Sequence, residues 1–489
     1  MKPARMVILA LVLATGPARY AQADCTVNMD WPSFGNDPLR TSYTRQEVLP
    51  NPNYLPKWSD PSGAPIRAPA VVAHGMVFYA RDNGQINNRI ATSGNQMVGF
   101  PITLPNTDHI LASPVWSNGW LYVVTQVTGF NYGGRIYCIN QASGAIRWWQ
   151  PCYYKTTTAP VIVGNKIMVF TDDWQVRIFD VDTGVDCGTL TTGCTYTPAA
   201  VWSGKAYYSA NGAIYRYDPV ANVVDTTITL PETYGNWACS ISQAGDMYTT
   251  IGNHYLGAYN LITNQVEWTS DVTWGTGASA VPTLPAISDS VVVVASGTVW
   301  AVDRRTGATL WSAGGSLGGN FYRNSPIIAG YTVVATTDDG ILYCFDLYTG
   351  AEIGHYPDTH TSDSFAGPIV ADSLIFCGWD SGAFHALKGH WGAVAVGVPE
   401  APGFALRGAV PNPGVGRLSV AFSLPDALPA RLEVVDLAGR KVIARAVGGL
   451  GAGNHTVGLS GERALPAGMY FVRLIQGHRT LTCKVAIVR

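Results

Sequence analysis

The sequence predicts an all-β chain, with an eight-bladed β-propeller of four-stranded antiparallel blades followed by a small β-sandwich. Two observations lead to this prediction. A unit of apolar strand, polar turn and apolar strand returns about every 40 residues, which is the period of a four-stranded blade. After residue 411 the pattern changes to alternating strands spaced by roughly 10 to 15 residues, which is typical of an antiparallel sandwich.

The repeat is clearest at residues 300–311, where a polar turn separates two apolar strands. Asp303 can accept hydrogen bonds from the backbone two residues on, and Gly307 tolerates positive φ, so this segment reverses the chain. Trp311 ends the unit and is large enough to pack against a neighbouring sheet. The predicted structural residues of the repeat are Asp180, Gly184, Asp303, Thr306, Gly307, Trp311, Asp346 and Gly350. In two units Gly188 and Gly354 stand where Trp is expected.

The last repeat unit ends at Leu387 without an outer strand, whereas an isolated apolar strand ending in Trp precedes the first unit at residues 54–58. Pairing these two segments would bury two exposed sheet edges at once. The sequence therefore predicts that residues 54–58 close the ring on the last blade.

Residues 301–311 match the tryptophan-docking repeat of quinoprotein (PQQ) type β-propellers, and residues 31–43 resemble the segment that often precedes those repeats. The resemblance covers residues 31–389. For a quinoprotein dehydrogenase it implies PQQ under a pair of adjacent cysteines, a calcium ion and an aspartate base. No two cysteines of this chain are adjacent, and the haem motif Cys-x-x-Cys-His is absent. We therefore expect no catalytic, cofactor-binding or metal-binding residues.

The N-terminus reads as a secretory signal peptide at residues 1–23. Lys2 and Arg5 precede an apolar run, and Ala21-Gln22-Ala23 supplies a small-residue cleavage site. No later apolar run is long enough to form a membrane-spanning helix. The expected divisions are an N-terminal segment with the closing strand at 24–66, the propeller at 67–391, a linker rich in Gly and Pro at 392–411 and the sandwich at 412–489.

The motifs after residue 411 include Asn412-Pro413, Asp436-Leu-Ala-Gly439-Arg440 and Leu465-Pro-Ala-Gly468-Met-Tyr-Phe. In this order they resemble the C-terminal sorting domain of type IX secretion cargo and the Ig-like domain of flagellar hook-capping proteins. The resemblance implies passage through the periplasm to the surface or medium of a Gram-negative-type bacterium, and it leaves open an ordinary Ig-like module. The expected core residues are Phe422, Leu432, Val434, Val442, Val457, Tyr470, Val472, Leu474 and Val485.

The chain contains nine cysteines, an odd number that leaves at least one unpaired within a monomer. Cys187 and Cys194 would close a short loop and are the first candidates for a disulfide. Two other pairs are open, Cys138 with Cys152 and Cys344 with Cys377. Connectivity cannot be read from sequence, and buried thiols are the alternative.

Two further motifs have a functional and a structural interpretation. The alternating acids Asp180, Asp182 and Asp186 imitate the first half of a calcium loop, but Thr191 stands where its bidentate acid belongs. Asp180 is already explained as a turn residue. Trp148-Trp149, Trp116 and Trp120 would suit stacking on a sugar, although packing between blades is the usual role of such residues.

The leading functional hypothesis is an exported, non-enzymatic propeller that binds a protein or glycan ligand on one face. Its net charge of −2 gives no reason to expect nucleic acid or an anionic membrane as partner. The alternatives are a quinone-dependent dehydrogenase and a periplasmic scaffold for outer-membrane protein assembly.

Overall fold

The computed structural model forms two compact units, Met1–His390 and Trp391–Arg489. The residues it describes are 30–44, 46, 48, 54–61, 63–105, 109–127, 133–156, 158–193, 198–230, 238–251, 255–273, 283–314, 321, 324–356, 366–389, 405–409, 414–415, 418–424, 429–436, 439–450, 453–459, 465–476 and 479–488. The expected signal peptide, Cys194 and most of the expected linker lie outside them.

The first unit contains eight sheets, each with four antiparallel strands, which are the eight blades of a β-propeller. In seven of them these four strands are consecutive in the chain. Blades 1 to 4 consist, in order, of Val71–Ala73, Met76–Ala80, Gln85–Ile90 and Ile102–Thr103; Val115–Ser117, Trp120–Gln126, Gly134–Asn140 and Ile146–Pro151; Val161–Val163, Lys166–Thr171, Gln175–Asp180 and Asp186–Leu190; and Ala200–Trp202, Lys205–Ala210, Ala213–Asp218 and Val223–Thr229. First strands of neighbouring blades contact one another, which places them at the axis.

Blades 5 to 8 continue the same arrangement. Their strands are Ser240–Ile241, Asp246–Ile251, Tyr255–Asn260 and Gln265–Thr273; Ala286–Ile287, Val291–Ser296, Thr298–Asp303 and Thr309–Ala313; Ile327–Ala329, Thr332–Thr336, Leu342–Asp346 and Glu352–Tyr356; and Ile369–Ala371, Leu374–Gly378, Phe384–Gly389 and Tyr54–Asp60. The short strand Tyr43–Thr44 adds to blade 7 and runs parallel to its first strand. The apolar cores lie largely between adjacent blades.

The fourth strand of blade 8 comes from the N-terminal side of the propeller, as predicted. Tyr54–Asp60 pairs antiparallel with Phe384–Gly389, for example Pro56 with Leu387 and Asp60 with Phe384. We call this strand the clasp. It confirms that the missing outer strand of the last blade is supplied by the segment before the first blade.

The predicted turn residues act as expected within their own blades. Asp303 Oδ1 accepts hydrogen bonds from the backbone amide of Thr306 at 2.9 Å and from its hydroxyl at 2.8 Å. Gly307 follows with φ +72°, the left-handed conformation that glycine adopts without strain. Asp180 and Asp346 form the same bonds with Thr183 and Thr349.

Each docking tryptophan packs against the turn glycine of the next blade. A methyl group on Gly307 would lie 2.4 Å from Trp268, and one on Gly350 would lie 2.6 Å from Trp311. The clasp continues the series, because Trp58 packs on Gly94 of blade 1. Its indole N–H also donates to the Ala91 carbonyl at 2.8 Å.

This packing explains the two missing tryptophans. Opposite Gly188, the turn of blade 4 has Asn222 in place of glycine, and its side-chain amide donates to the Cys187 carbonyl at 2.8 Å. Opposite Gly354, the outer strand of blade 8 is the clasp, so no turn joins it to the third strand. Tryptophan is therefore absent at these two positions, where the next blade has no glycine to receive it.

Neither alternative disulfide forms. The thiols of Cys138 and Cys152 are buried, and the strand register separates them. Cys138 is opposite Trp148, whereas the Cys152 amide bonds to Gly134 at the far end of the hairpin. Cys344 and Cys377 are also thiols. Cys187 is a thiol as well, and its sulfur accepts a hydrogen bond from Lys166 Nζ at 3.1 Å. Its expected partner Cys194 lies outside the described residues, so their pairing stays a prediction.

The second unit is a sandwich of two sheets. One sheet has the order Ala405–Ala409, Ser419–Leu424 and Gly453–Gly458, and the other has the order Gly414–Val415, Arg479–Val488, Gly468–Gln476, Ala430–Asp436 and Lys441–Ala446. A 3₁₀ turn covers Gly448–Leu450. Of the expected core, Val442 is wrong, since it is 44% exposed on an edge strand. A bulge near Val435 turns Ile443 toward the core instead.

Candidate functional site

The axis of the propeller is occupied by residues 31–44 and Gln46, which we call the axial segment. Its backbone carbonyls accept hydrogen bonds from the first strands of blades 1, 2, 4, 5, 6 and 7, and the Gln46 side chain accepts one from blade 8. The carbonyls of Pro38, Leu39 and Thr41, for example, bond to three successive blades at 2.6, 2.9 and 2.8 Å. The segment thus uses the backbone donors that the inner strands direct toward the axis.

Two charged residues, the buried Arg40 and the partly buried Asp37, lie within the axial segment. The Arg40 side chain is almost fully buried, and its Nε donates to the Ala199 carbonyl at 3.0 Å while Nη1 donates to Phe34. Burial lowers the pKa of Arg40 to about 10. Burial also raises the pKa of Asp37, against the hydrogen bonds from Thr41. These polar groups bond within the protein and hold the segment in place.

On the face formed by loops between blades, an ion-pair network joins blades 8, 1 and 2. Arg67 bridges Asp82 at 3.2 Å and Asp380 at 2.9 Å. Asp82 also contacts His109 Nδ1 at 2.5 Å. The imidazole and carboxylate are placed as in a general base, but Arg67 pairs with both acids, and the network cross-links four connecting segments.

The calcium-loop motif does not converge on one cation. Asp180 is used in its turn, Asp182 pairs with Arg147 at 3.4 Å, and Asp186 accepts the Gly188 amide at 2.7 Å. In the part of the chain that the structure describes, no three His, Cys, Asp or Glu side chains are grouped as a metal ion would require.

The residues present do not fit the quinone and calcium group that the PQQ-type resemblance implies. Cys239, the cysteine beside Arg40 near the axis, follows Ala238 and precedes Ser240, so it cannot form the adjacent-cysteine pair. Its buried thiol donates to the Tyr207 carbonyl across 3.6 Å. Arg40 and the described backbone carbonyls of Pro38, Leu39 and Thr41 are already engaged in hydrogen bonds within the protein, so they are not open to an anionic quinone bound with calcium.

The tryptophans considered for sugar stacking are divided among different environments. Trp148 packs on Gly184, Trp116 donates to Gln141, and Trp120 lies under Arg147 at 4.7 Å. Trp149 is 51% exposed and lies opposite Tyr137 of the neighbouring strand, on the sheet face away from Trp148. They do not form one platform.

Two aromatic residues that sequence reasoning missed are more exposed. Tyr153 is 60% exposed in the loop between blades 2 and 3, and Trp174 is 65% exposed in a turn of blade 3. The signal that could have found Trp174 is a comparison of the turns of different blades, because it occupies a position where other blades have glycine.

Solved structures show the same fold at low sequence identity. The assembly factor BamB from Moraxella catarrhalis aligns with a TM-score of 0.56 and 13% identity over 69% of this chain and 100% of its own. A quinohemoprotein alcohol dehydrogenase from Comamonas testosteroni aligns with a TM-score of 0.58 and 12% identity, over 78% of this chain and 83% of its own. A europium-containing methanol dehydrogenase aligns with a TM-score of 0.57 and 11% identity, over 72% of this chain and 90% of its own. No curated protein sequence matches significantly.

Family comparisons assign both units. Residues 409–488 match the secretion system C-terminal sorting domain, which implies export to the cell surface or beyond and contact with the type IX machinery. No helix within the described residues is long and apolar enough to cross a membrane. Residues 58–353 and 241–397 match the PQQ-like repeat model described as outer membrane protein assembly factor BamB. The chain therefore belongs to this PQQ-like repeat propeller family, and it carries a type IX sorting domain at its C-terminus.

Proposed function

We propose that the chain is an exported, non-enzymatic propeller that binds or scaffolds a partner at the cell surface or outside the cell, delivered there by its sorting domain. The observation that carries the proposal is the axial segment, which fills the axis and uses its charged groups in internal bonds. Recognition then falls to the loops on the faces of the ring, where propellers vary most freely.

The first experiment tests the non-enzymatic part. Purified protein is mixed with PQQ and Ca²⁺, and dye-linked oxidation of alcohols and sugars is measured together with the melting temperature. We expect neither oxidation nor stabilisation. A ligand at one hundred times its Kd would stabilise the folded state by about 2.7 kcal/mol, which a melting curve resolves. Oxidation or a comparable shift would replace the proposal with the dehydrogenase alternative.

The second experiment tests delivery in a host that has the type IX machinery. Removing residues 403–489 should trap the propeller in the periplasm, while the full chain reaches the surface or medium. Export of the truncated chain would reduce the sandwich to an ordinary Ig-like module.

The family match to an outer membrane protein assembly factor favours a second candidate, a periplasmic assembly scaffold. That role requires the full chain to remain in the periplasm and its loss to lower the level of outer-membrane proteins. Export of the full chain with unchanged outer-membrane protein levels would exclude it.

A further inference from the structure

Four turns of the propeller share one geometry, but only three of them have glycine in the fourth position. Each joins the second and third strands of its blade, at residues 81–84, 171–174, 337–340 and 379–382. In each, the fourth amide donates to the first carbonyl, at 3.1, 3.0, 3.2 and 2.9 Å respectively. Three turns place glycine in the fourth position with φ between +78° and +88°. The turn of blade 3 places Trp174 there, with φ +62°.

Tryptophan is unfavourable at this position because of the backbone conformation. A bulky side chain in the left-handed conformation is strained, and Trp174 recovers little by burial because it is 65% exposed. Tyr153 repeats both features, with φ +62° and 60% exposure. Residues kept in strained conformations without a packing role are expected at functional sites.

The two aromatic residues are held on loops that are tied together. The Asp172 amide donates to the Lys155 carbonyl at 3.1 Å, and their side chains form an ion pair at 3.2 Å. Arg177 lies with its guanidinium carbon 5.2 Å from the centre of the Tyr153 ring. It also pairs with Asp173 at 2.6 Å, beside Trp174. The surface therefore presents two aromatic rings beside two cations and two anions that neutralise each other.

We infer that Tyr153 and Trp174 form a binding site for a neutral glycan, an inference that rests on the proposed binding function and names its ligand class. The C–H face of a pyranose ring stacks on an exposed aromatic ring, and polar groups at the edge orient its hydroxyls. The balanced charges give no attraction for an acidic polymer.

The small extent of the surface also favours a glycan over a protein. A stable protein interface covers about 800 Å² on each partner with several apolar residues at its centre. Among the described residues of these two loops, only Tyr153 and Trp174 are large, apolar and exposed. Two exposed aromatic rings offer enough surface to stack on one or two sugar units.

The test measures binding of purified full-length protein to cellohexaose, laminarihexaose, mannohexaose and xylohexaose by calorimetry. We expect at least one to bind with a Kd of about 1 mM or tighter. Trp174→Gly should weaken that binding at least about tenfold while its melting temperature stays equal or rises, because glycine suits the turn. Tyr153→Ala should also weaken binding.

Trp149→Ala is the matched control, since it removes another half-exposed tryptophan from blade 2, and it should leave binding unchanged. Binding of none of the four sugars, or equal binding by Trp174→Gly, would overturn the glycan assignment and leave the aromatic pair as a protein contact. Oxidation of a bound sugar with PQQ present would instead overturn the non-enzymatic proposal while leaving the glycan site intact.

Discussion

The carboxylate of Asp60 lies 3.0 Å from Arg81 Nη2, and this contact joins the end of the clasp to blade 1. The same oxygen accepts a hydrogen bond from Arg89 at 3.0 Å and another from Tyr79. The Tyr79 ring stacks on Phe384 of blade 8 with centroids 4.0 Å apart. The seam of the ring is therefore closed by a charge network as well as by strand pairing.

We predict that Asp60→Asn lowers the free energy of unfolding by about 2–3 kcal/mol at pH 7. Arg81 is 3% exposed and would remain buried with a weaker partner, although the network keeps some contact with solvent. Urea unfolding measures the change. Asp182→Asn is the control, because that carboxylate is 69% exposed and should contribute less than about 1 kcal/mol. Equal effects of the two substitutions would show that the seam does not depend on this charge.

The effect of Asp60→Asn should disappear in acid. Burial alone would raise the pKa of Asp60, but the hydrogen bond from Tyr79 and the charges of Arg81 and Arg89 outweigh it and lower the pKa. A carboxyl with a lowered folded-state pKa stabilises the protein above its unfolded pKa of about 3.9, and that contribution is lost as pH falls through the folded value. The stability difference between wild type and variant should thus be full at pH 6 and shrink below pH of about 4. A constant difference would contradict this assignment.

The sequence predicted the blades because their strands, turns and docking tryptophans each follow a local rule. The clasp was predictable for a related reason. The last blade lacked an outer strand and the segment before the first blade was a strand without a sheet, so pairing the two satisfies both. The axial segment was not predictable. It binds through backbone carbonyls such as those of Pro38 and Thr41, and a backbone contact leaves no residue pattern. Trp174 was missed because a lone exposed tryptophan has meaning only against the glycine of equivalent turns.

A second prediction separates steric fit from backbone strain at the docking glycines. Gly307 and Gly75 have nearly equal φ, +72° and +73°, but a methyl group on Gly307 would meet Trp268 whereas one on Gly75 would meet nothing within 4 Å. Gly75→Ala should cost about 1–2 kcal/mol from the left-handed backbone alone. Gly307→Ala should cost about 1–3 kcal/mol more, from overpacking. Equal losses in urea unfolding would mean that Trp268 moves freely.

A third prediction concerns the buried thiols. Burial raises the pKa of Cys138 to about 11, and that of Cys152 and of Cys239 to about 12. Because the thiolate is the reactive form, iodoacetamide at pH 8 should leave all three unmodified in the native protein and label them in urea. Mass spectrometry without reduction would show in the same samples whether Cys187 is bonded to Cys194. Rapid native labelling of Cys152 would mean that blade 2 opens readily.

The last prediction is that the sandwich unfolds independently of the propeller. Its core is its own, and Leu432, Val472 and Leu474 are each fully buried within it. A domain of under about 90 residues has a free energy of unfolding of only a few kcal/mol. Leu474→Ala should remove about 2–5 kcal/mol and lower the first melting transition by at least about 10 °C.

The control is Arg473→Ala, one residue away on the exposed side of the same strand, which should leave both transitions in place. The expected linker at 392–411 is too long, because its residues 405–409 form a paired strand of the sandwich. Limited proteolysis should therefore cut within residues 392–404, where the sequence is rich in Gly and Pro, and leave a fragment that melts at the propeller's temperature. If Leu474→Ala also lowers the propeller transition, the two units share stability. The sandwich would then not fold independently of the propeller, as a separately recognised sorting domain requires.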